Sequence, residues 1–222
     1  VMAHDQCATA CRHCTRKGLL HDADVVRTPA QLAAAVTWVK EHPAVREVLL
    51  SGGDPLLLSD TRLLMFVRAF ARLPQLDAVR IGTRVPVTLP MRVTPALARA
   101  LGTFKKVWVN TQFNHAREIT PEAAVACARL VEAGIPVSNQ CVLLKGVNDS
   151  VAALFDLCTG LQRIRVRPYY VFLCDPVEGI AHFRVPLRRA RRIARELAVR
   201  VGGLALPRFV MDVPGSPRKT PI

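Results

Sequence analysis

The chain has 222 residues, half of them apolar, which suits one domain or a barrel-sized unit with a sizeable core. No run of about 18 uncharged apolar residues occurs, which excludes a helical membrane span within this sequence, and no charged segment followed by an apolar one opens the chain as a secretory signal would. Seven cysteines, an odd number, do not read as a disulfide framework and fit a reducing cytoplasm; the net charge of +14 raises nucleic acid as a partner.

The predicted elements begin with a first strand, most of it expected ahead of Val1, and then the loop Cys7-Ala-Thr-Ala-Cys11-Arg-His-Cys14. Thr28-Pro29 starts a helix that Pro43 ends, and Val45–Ser51 is a buried strand closed by Gly52-Gly53-Asp54. A helix from Ser59-Asp60 to Arg72 precedes the strand Ala78–Arg84. Thr94-Pro95 caps the next helix, and the strand Val107–Phe113 follows. Thr120-Pro121 caps a helix closed by Gly134, followed by the strand Val137–Leu144 and a helix from Asp149-Ser150. The strand Arg167–Leu173, a helix over Pro186–Arg200 and the extended stretch Leu206–Asp212 complete the series. In that last helix Leu187, Ala190, Ala194, Leu197 and Val201 recur at threes and fours, which puts Arg188, Arg189, Arg191 and Arg192 on a solvated face. The densest basic run is thereby accounted for without nucleic acid.

Unbroken alternation of strand and helix predicts an α/β fold, a parallel sheet or barrel forming one domain over 1–222. In such folds functional groups gather beyond the C-terminal ends of the strands. Ser51-Gly52-Gly53-Asp54, Arg84, Asn110 to His115, Asn139-Gln140 and Cys174-Asp175 all fall there, beside the cysteine loop.

The spacing C-x3-C-x2-C turns three soft thiolates inward from a tight loop, and such ligands select zinc or iron–sulfur centres. A closed zinc site or a paired electron carrier wants four ligands, whereas the local set stops at three. Three thiolates on a four-iron cluster leave one iron open to a substrate or cofactor. The alternatives are a zinc ion completed by His13 or His4, or three thiols that are merely close. The polar groups collected on the same rim favour the open cluster. Cys127, Cys141, Cys158 and Cys174 lie in apolar or helical stretches and read as buried free thiols.

With these residues in place, the chain resembles the lysine 2,3-aminomutase family, radical S-adenosylmethionine enzymes that use pyridoxal phosphate. The resemblance runs through CRHCTRK, VLLSGGDPLLLSD, RIGTRVPVTLP, VWVNTQFNH, VSNQCVLLKGVNDS, RVRPYYVFLCDPVEGIAHFR and DVPGSPRKTPI, essentially the whole chain. It implies a partial (β/α)6 TIM-like barrel of the radical S-adenosylmethionine type. It also implies that Cys7, Cys11 and Cys14 hold a 4Fe–4S cluster whose fourth iron is chelated by S-adenosylmethionine. His13 would lie against the adenine; Ser51, Gly52, Gly53 and Asp54 would approach the methionine amino group, and Gln112 and Gln140 would border the same cofactor. Lys219 matches the lysine that forms the pyridoxal phosphate aldimine, a role that asks for a dry, cationic setting. Arg16 matches the ligand of the substrate carboxylate, and Asp175 with Asp212 the pair that receives the distal ammonium of lysine.

The activity so implied moves the amino group of L-lysine from C2 to C3, with an electron donor such as flavodoxin or ferredoxin and a homo-oligomeric full-length protein. Gln112 stands where the lysine enzymes carry a histidine, and Pro176-Val177 also depart from the family's run. The family's helical segment ahead of the first cysteine and its C-terminal extension are not within these residues, so the chain reads as a fragment. A relative serving a translation elongation factor, an arginine or other amino acid aminomutase, and a basic cluster-bearing nucleic-acid binder are the competing readings.

Overall fold

The computed structural model describes residues 1–17 and 26–222. Eight strands form one sheet in sequence order: β1 (Met2–His4), β2 (Glu47–Gly52), β3 (Ala78–Gly82), β4 (Val107–Thr111), β5 (Val137–Leu143), β6 (Arg167–Leu173), β7 (Arg208–Met211) and β8 (Thr220–Pro221). Strands β1 to β7 are parallel to their neighbours, and β8 alone runs antiparallel, against β7. Helices α1 (Pro29–Glu41), α2 (Asp60–Ala71), α4 (Pro95–Gly102), α5 (Pro121–Glu132), α6 (Val151–Arg163) and α7 (Leu187–Ala198) make the crossovers, with a single turn α3 (Val85–Thr88) before α4. Strand order follows chain order, and β1 and β8 end the sheet without pairing to each other, which gives a partial TIM-like barrel.

The helices start where the sequence places their caps. Thr28 accepts from the Gln31 N–H while the Gln31 side chain accepts from the Thr28 N–H, a reciprocal box that satisfies two otherwise orphaned donors. Ser59, Thr94, Thr120 and Ser150 cap α2, α4, α5 and α6 in the same sense. The core lies between sheet and helices: Leu50, Ile81, Val109 and Val137 form one register row, packed under Leu63, Phe66, Phe70, Leu97, Leu101 and Leu130. Each such side chain contributes roughly 1.5–3 kcal/mol through burial. Ala190, Ile193 and Leu197 are the buried face of α7, and Arg188, Arg189, Arg191 and Arg192 are exposed. Cys127, Cys141, Cys158 and Cys174 are buried and unpaired.

The opposite face of the sheet is lined differently. Leu49, Arg80 and Trp108 form a partly exposed row, and Gly82, Asn110 and Ser138 form the row nearer the C-terminal strand ends. Past the strand ends, side-chain amides replace the ladder. Asn139 accepts from the Phe113 N–H at 2.6 Å and donates to the Phe113 carbonyl at 3.0 Å. Fully buried Asn148 donates to the carbonyls of Asn114 and Val142 and accepts from the Leu144 N–H. These bonds hold the loops after β4 and β5 together, because buried backbone groups must find partners.

The strand expected ahead of the cysteine loop is represented by Met2–His4, paired with Ser51 and Gly52. The expected extended stretch Leu206–Asp212 contains β7, and the segment after it, for which no element was expected, returns as β8, pairing Val210 with Pro221 and Met211 with Thr220.

The junction of β1 and β2 leaves no room for a side chain. A Cβ on Gly53 would sit 2.0 Å from the Gln6 carbonyl oxygen, whereas one on Gly202 would meet nothing within 4 Å. Gly53→Ala is expected to cost about 2–3 kcal/mol, lowering Tm by roughly 4–12 °C. Gly202→Ala is expected to stay within about 0.5 kcal/mol of the parent; thermal unfolding by circular dichroism compares the two.

Candidate active site

The cysteine loop is spliced to the end of β2 through backbone. The Gly53 N–H donates to the His4 carbonyl at 2.7 Å and the Asp54 N–H to the Gln6 carbonyl at 2.6 Å. His4 Nε2 and the Asp54 carbonyl meet at 2.6 Å. Gly52 has φ +122°, and a Cβ there would stand 2.2 Å from the His4 carbonyl oxygen. The close approach for which these glycines are needed is therefore to the protein's own β1 segment.

Asp54 borders the cavity, and its carboxylate is engaged by the chain itself. Its buried carboxylate accepts from the Leu56 N–H and the Thr83 hydroxyl through Oδ1, and from the Arg84 and Val85 N–H groups through Oδ2, at 2.6 to 3.1 Å. Burial raises its pKa, and the four donors act in the opposite sense. A carboxylate so fully engaged holds the segment after β3 against the end of β2.

One cavity of about 400 Å³ is bordered by every residue to which the resemblance gives a cluster, cofactor or substrate role, whereas His115, Asn139 and Cys174 of the strand-end groups lie off its lining. On one wall stand Cys7, Cys11 and Cys14, with the Cys14 N–H donating to the Cys11 carbonyl at 3.1 Å. Cys14 Sγ accepts from the Arg16 N–H at 3.3 Å, and Cys11 Sγ from Arg84 Nη1 at 2.8 Å. Burial, together with the neighbouring Asp54, Cys11 and Cys14, pushes the Cys7 thiol up to about 11. Three thiols on the lining of one cavity are soft ligands that an electropositive occupant would take as thiolates. Among the described residues no three His, Cys, Asp or Glu groups converge around a single ion. The imidazoles considered for a zinc site are engaged elsewhere, His4 with Asp54 and His13 Nε2 with Gln112 Nε2 at 3.0 Å. Burial and the nearby Arg84 lower the pKa of His13, which suits a neutral ring accepting from the Gln112 amide.

Arg16 Nη1 donates to Ser51 Oγ at 2.5 Å, on the same side of the cavity. The loop after β6 reaches over to the cysteine loop: Lys17 Nζ donates to the Glu178 carbonyl at 2.7 Å, and the Arg12 guanidinium lies 5.2 Å from the Phe183 ring centroid.

The far wall carries Gln140, Phe172, Asp175, Asp212 and Lys219. Pairing of Met211 with Thr220 sets Asp212 opposite Lys219, and Nζ contacts both carboxylate oxygens at 2.6 and 2.7 Å. Nζ also lies 5.0 Å from the Phe172 ring centroid. The dry, cationic setting expected for Lys219 is thus corrected: its side chain is 44% exposed and faces an anion, because the β7–β8 register puts it there. Burial and then the charge of Asp212 raise the Asp175 pKa, partly offset by Lys219.

Sequence reasoning assigned no role to Arg84, Glu118, Asn110 or Thr111. Arg84 bridges Cys11 and Glu118, whose Oε1 it meets at 2.6 Å. Asn110 Oδ1, Thr111 Oγ1 and Arg84 Nε are buried without a partner among the described residues, and all three residues border the cavity. Unpartnered buried polar atoms are costly, so their collection here fits a polar ligand. Arg84 and Asn110 carried a positional signal, the end of a parallel strand; Glu118, in a short turn after β4, carried none.

Asp54→Asn would set an amide N–H2 against backbone donors now facing oxygen. Loss of about 2–3 kcal/mol is expected for this buried charged acceptor, read as a lower urea midpoint at unchanged slope.

The Radical SAM superfamily profile matches residues 2–158. L-lysine 2,3-aminomutase of Acetoanaerobium sticklandii is 45% identical over 98% of this chain and 53% of its own length. The enzyme of the same name from Clostridium subterminale is 44% identical over 98% and 52%, and glutamate 2,3-aminomutase of Clostridioides difficile is 36% identical over the same shares. The chain spans about half the length of the curated relatives it matches. Among solved structures, a radical SAM methyltransferase from Sphaerobacter thermophilus superposes with a TM-score of 0.67 at 20% identity, over 95% of this chain and 65% of that one. Streptococcus suis SuiB bound to S-adenosylmethionine gives 0.66 at 14%, over 96% and 49%, a likeness of fold alone. With a three-cysteine loop at the C-terminal rim of a partial parallel barrel and a family match over most of its length, this chain belongs to the Radical SAM superfamily.

Proposed function

We propose that the chain is the catalytic core of an isomerase that moves the amino group of L-lysine from C2 to C3, giving β-lysine. Superfamily membership implies a 4Fe–4S cluster and S-adenosylmethionine, and relatives at 45% and 44% identity carry the name L-lysine 2,3-aminomutase. The observation that carries the reading is a single cavity bordered by three thiols and by a lysine paired with Asp212, with Asp175 also on its lining.

In this reading Cys7, Cys11 and Cys14 hold the cluster. His13, Ser51, Gly52, Gly53, Gln112 and Gln140 border S-adenosylmethionine, and Asp54 shapes that wall from within. Lys219 carries pyridoxal phosphate; an amine inside the cavity, beside the Phe172 ring, fits that part. When bound, the cluster and S-adenosylmethionine supply a carbon radical that takes and returns a hydrogen atom, and pyridoxal phosphate supplies a π-system that spreads an unpaired electron. The protein binds and orients. Arg16 meets the substrate carboxylate with two donors. Asp175 and Asp212 receive the distal ammonium, and Asp212 exchanges its contact with Lys219 for that cation. Two carboxylates at one end of a pocket repel a substrate ending in a carboxylate, which separates lysine from glutamate. A flavodoxin- or ferredoxin-like donor and assembly into a homo-oligomer belong to the same proposal. Among the described residues no helix is long and apolar enough to cross a membrane.

The test is an anaerobic assay of the full-length gene product with reductant, iron, sulfide and both organic cofactors. Chromatography is expected to show β-lysine from lysine; a cofactor-loaded protein that leaves lysine untouched, or prefers glutamate, overturns the reading. Asp212→Asn is expected to raise KM for lysine up to roughly 5-fold, the equivalent of about 1 kcal/mol for a solvent-screened charge pair. The raised pKa of Asp175 also gives a pH signature. Protonation removes the charge that binds the ammonium, so KM should climb as pH falls through a value above the ordinary 3.8 of a free aspartate. In Asp175→Asn that limb of the KM–pH profile should vanish.

A further inference from the structure

A partly buried cation touches the cysteine loop from the neighbouring strand end. Arg84, two residues past β3, directs Nη1 to Cys11 Sγ at 2.8 Å and Nη2 to Glu118 Oε1 at 2.6 Å. Both partners of the ion pair are largely shielded, with side chains 18% and 25% exposed, so their charges act through a poorly polarisable medium. Each end is locked. The Arg84 N–H is held by Asp54 Oδ2 at 2.6 Å, and Glu118 Oε2 accepts from the Asn114 and His115 N–H groups at 2.5 and 3.3 Å. A guanidinium keeps its charge at any working pH. Glu118 alone would complete a structural ion pair, yet the second arm is aimed at sulfur, which accepts strongly only as a thiolate. The other half-buried sulfur, Cys14 Sγ, accepts a backbone N–H instead.

Resting on the reading that this loop holds an iron–sulfur cluster, we propose that Arg84, braced by Glu118, is a positioning residue that sets the reduction potential of that cluster through Cys11. Hydrogen bonds to cluster sulfurs and nearby net charge are the levers by which a protein tunes such potentials. A donated N–H and a positive charge stabilise the electron-rich reduced state and so raise the potential. The Glu118 carboxylate offsets part of that charge and keeps the guanidinium pointed at sulfur. The two residues therefore act with opposite sign.

The experiment is a redox titration of the reconstituted full-length protein without substrate, followed by electron paramagnetic resonance of the reduced cluster, with iron and sulfide counted per chain. Arg84→Gln is expected to keep its iron and shift the midpoint to more negative values; Arg84→Lys should recover most of the shift. Glu118→Gln should move the midpoint the other way. Coincident midpoints at full iron loading, or both neutral variants moving in the same direction, overturn the proposal while leaving the cluster assignment intact. If Arg84→Gln loses its iron, Glu118→Gln decides: a rise supports the proposal, and no change or a fall overturns it. An unsubstituted protein that takes up no iron overturns the cluster reading and this inference together.

Discussion

The whole rim depends on the backbone splice between the segment of His4 to Gln6 and the glycine end of β2. Two N–H···O=C bonds of 2.7 and 2.6 Å carry it, from Gly53 to His4 and from Asp54 to Gln6. They exist only because Gly52 and Gly53 present no Cβ to those carbonyls. A parallel sheet leaves the groups at its strand ends free, and here that freedom attaches a loop rather than continuing a ladder. Asp54 then carries the anchor onward, its carboxylate gathering Thr83, Arg84 and Val85 from the next strand end. Three consecutive sheet edges are in this way brought to one place before any ligand is considered.

Charge is arranged around the cavity in facing pairs. Arg84 stands between Cys11 and Glu118, and Lys219 against Asp212 with Asp175 close by. In a chain of net charge +14, acidic residues thus face cations at the cavity, while the arginines of α7 remain in water. Exposed arginines at helical spacing contribute little to the fold, so the basic balance is compatible with an enzyme and needs no nucleic acid to explain it.

Most of the scaffold could be read from local chemistry. Thr28, Ser59, Thr94, Thr120 and Ser150 each cap the helix expected of them, and each apolar run between them is a strand. The cysteine loop, the glycine turn and the polar strand ends were legible for the same reason: spacing and position along a parallel strand are properties of the sequence. Three things were not. The antiparallel return of β8 rests on pairing Met211 with Thr220, a tertiary register that two residues cannot announce. The contact of Lys219 with Asp212 follows from that register and so was hidden with it. Glu118 meets Arg84 only because the turns after β3 and β4 lie side by side. The four internal donors of Asp54 were hidden as well, because a carboxylate at a strand end looks identical in sequence whether its partners are a ligand or the chain.

The four cysteines outside the loop have a consequence for how the protein meets iron and oxidants. Desolvation holds the thiols of Cys127 and Cys158 up to about 12, and raises those of Cys141 and Cys174 as well. All four are also sealed in the interior, out of reach of iron and of disulfides, whereas the loop cysteines border the open cavity. The hydrophobic interior thus acts as a chemical mask, and assembly on the loop proceeds without four competing sulfurs elsewhere in the same polypeptide.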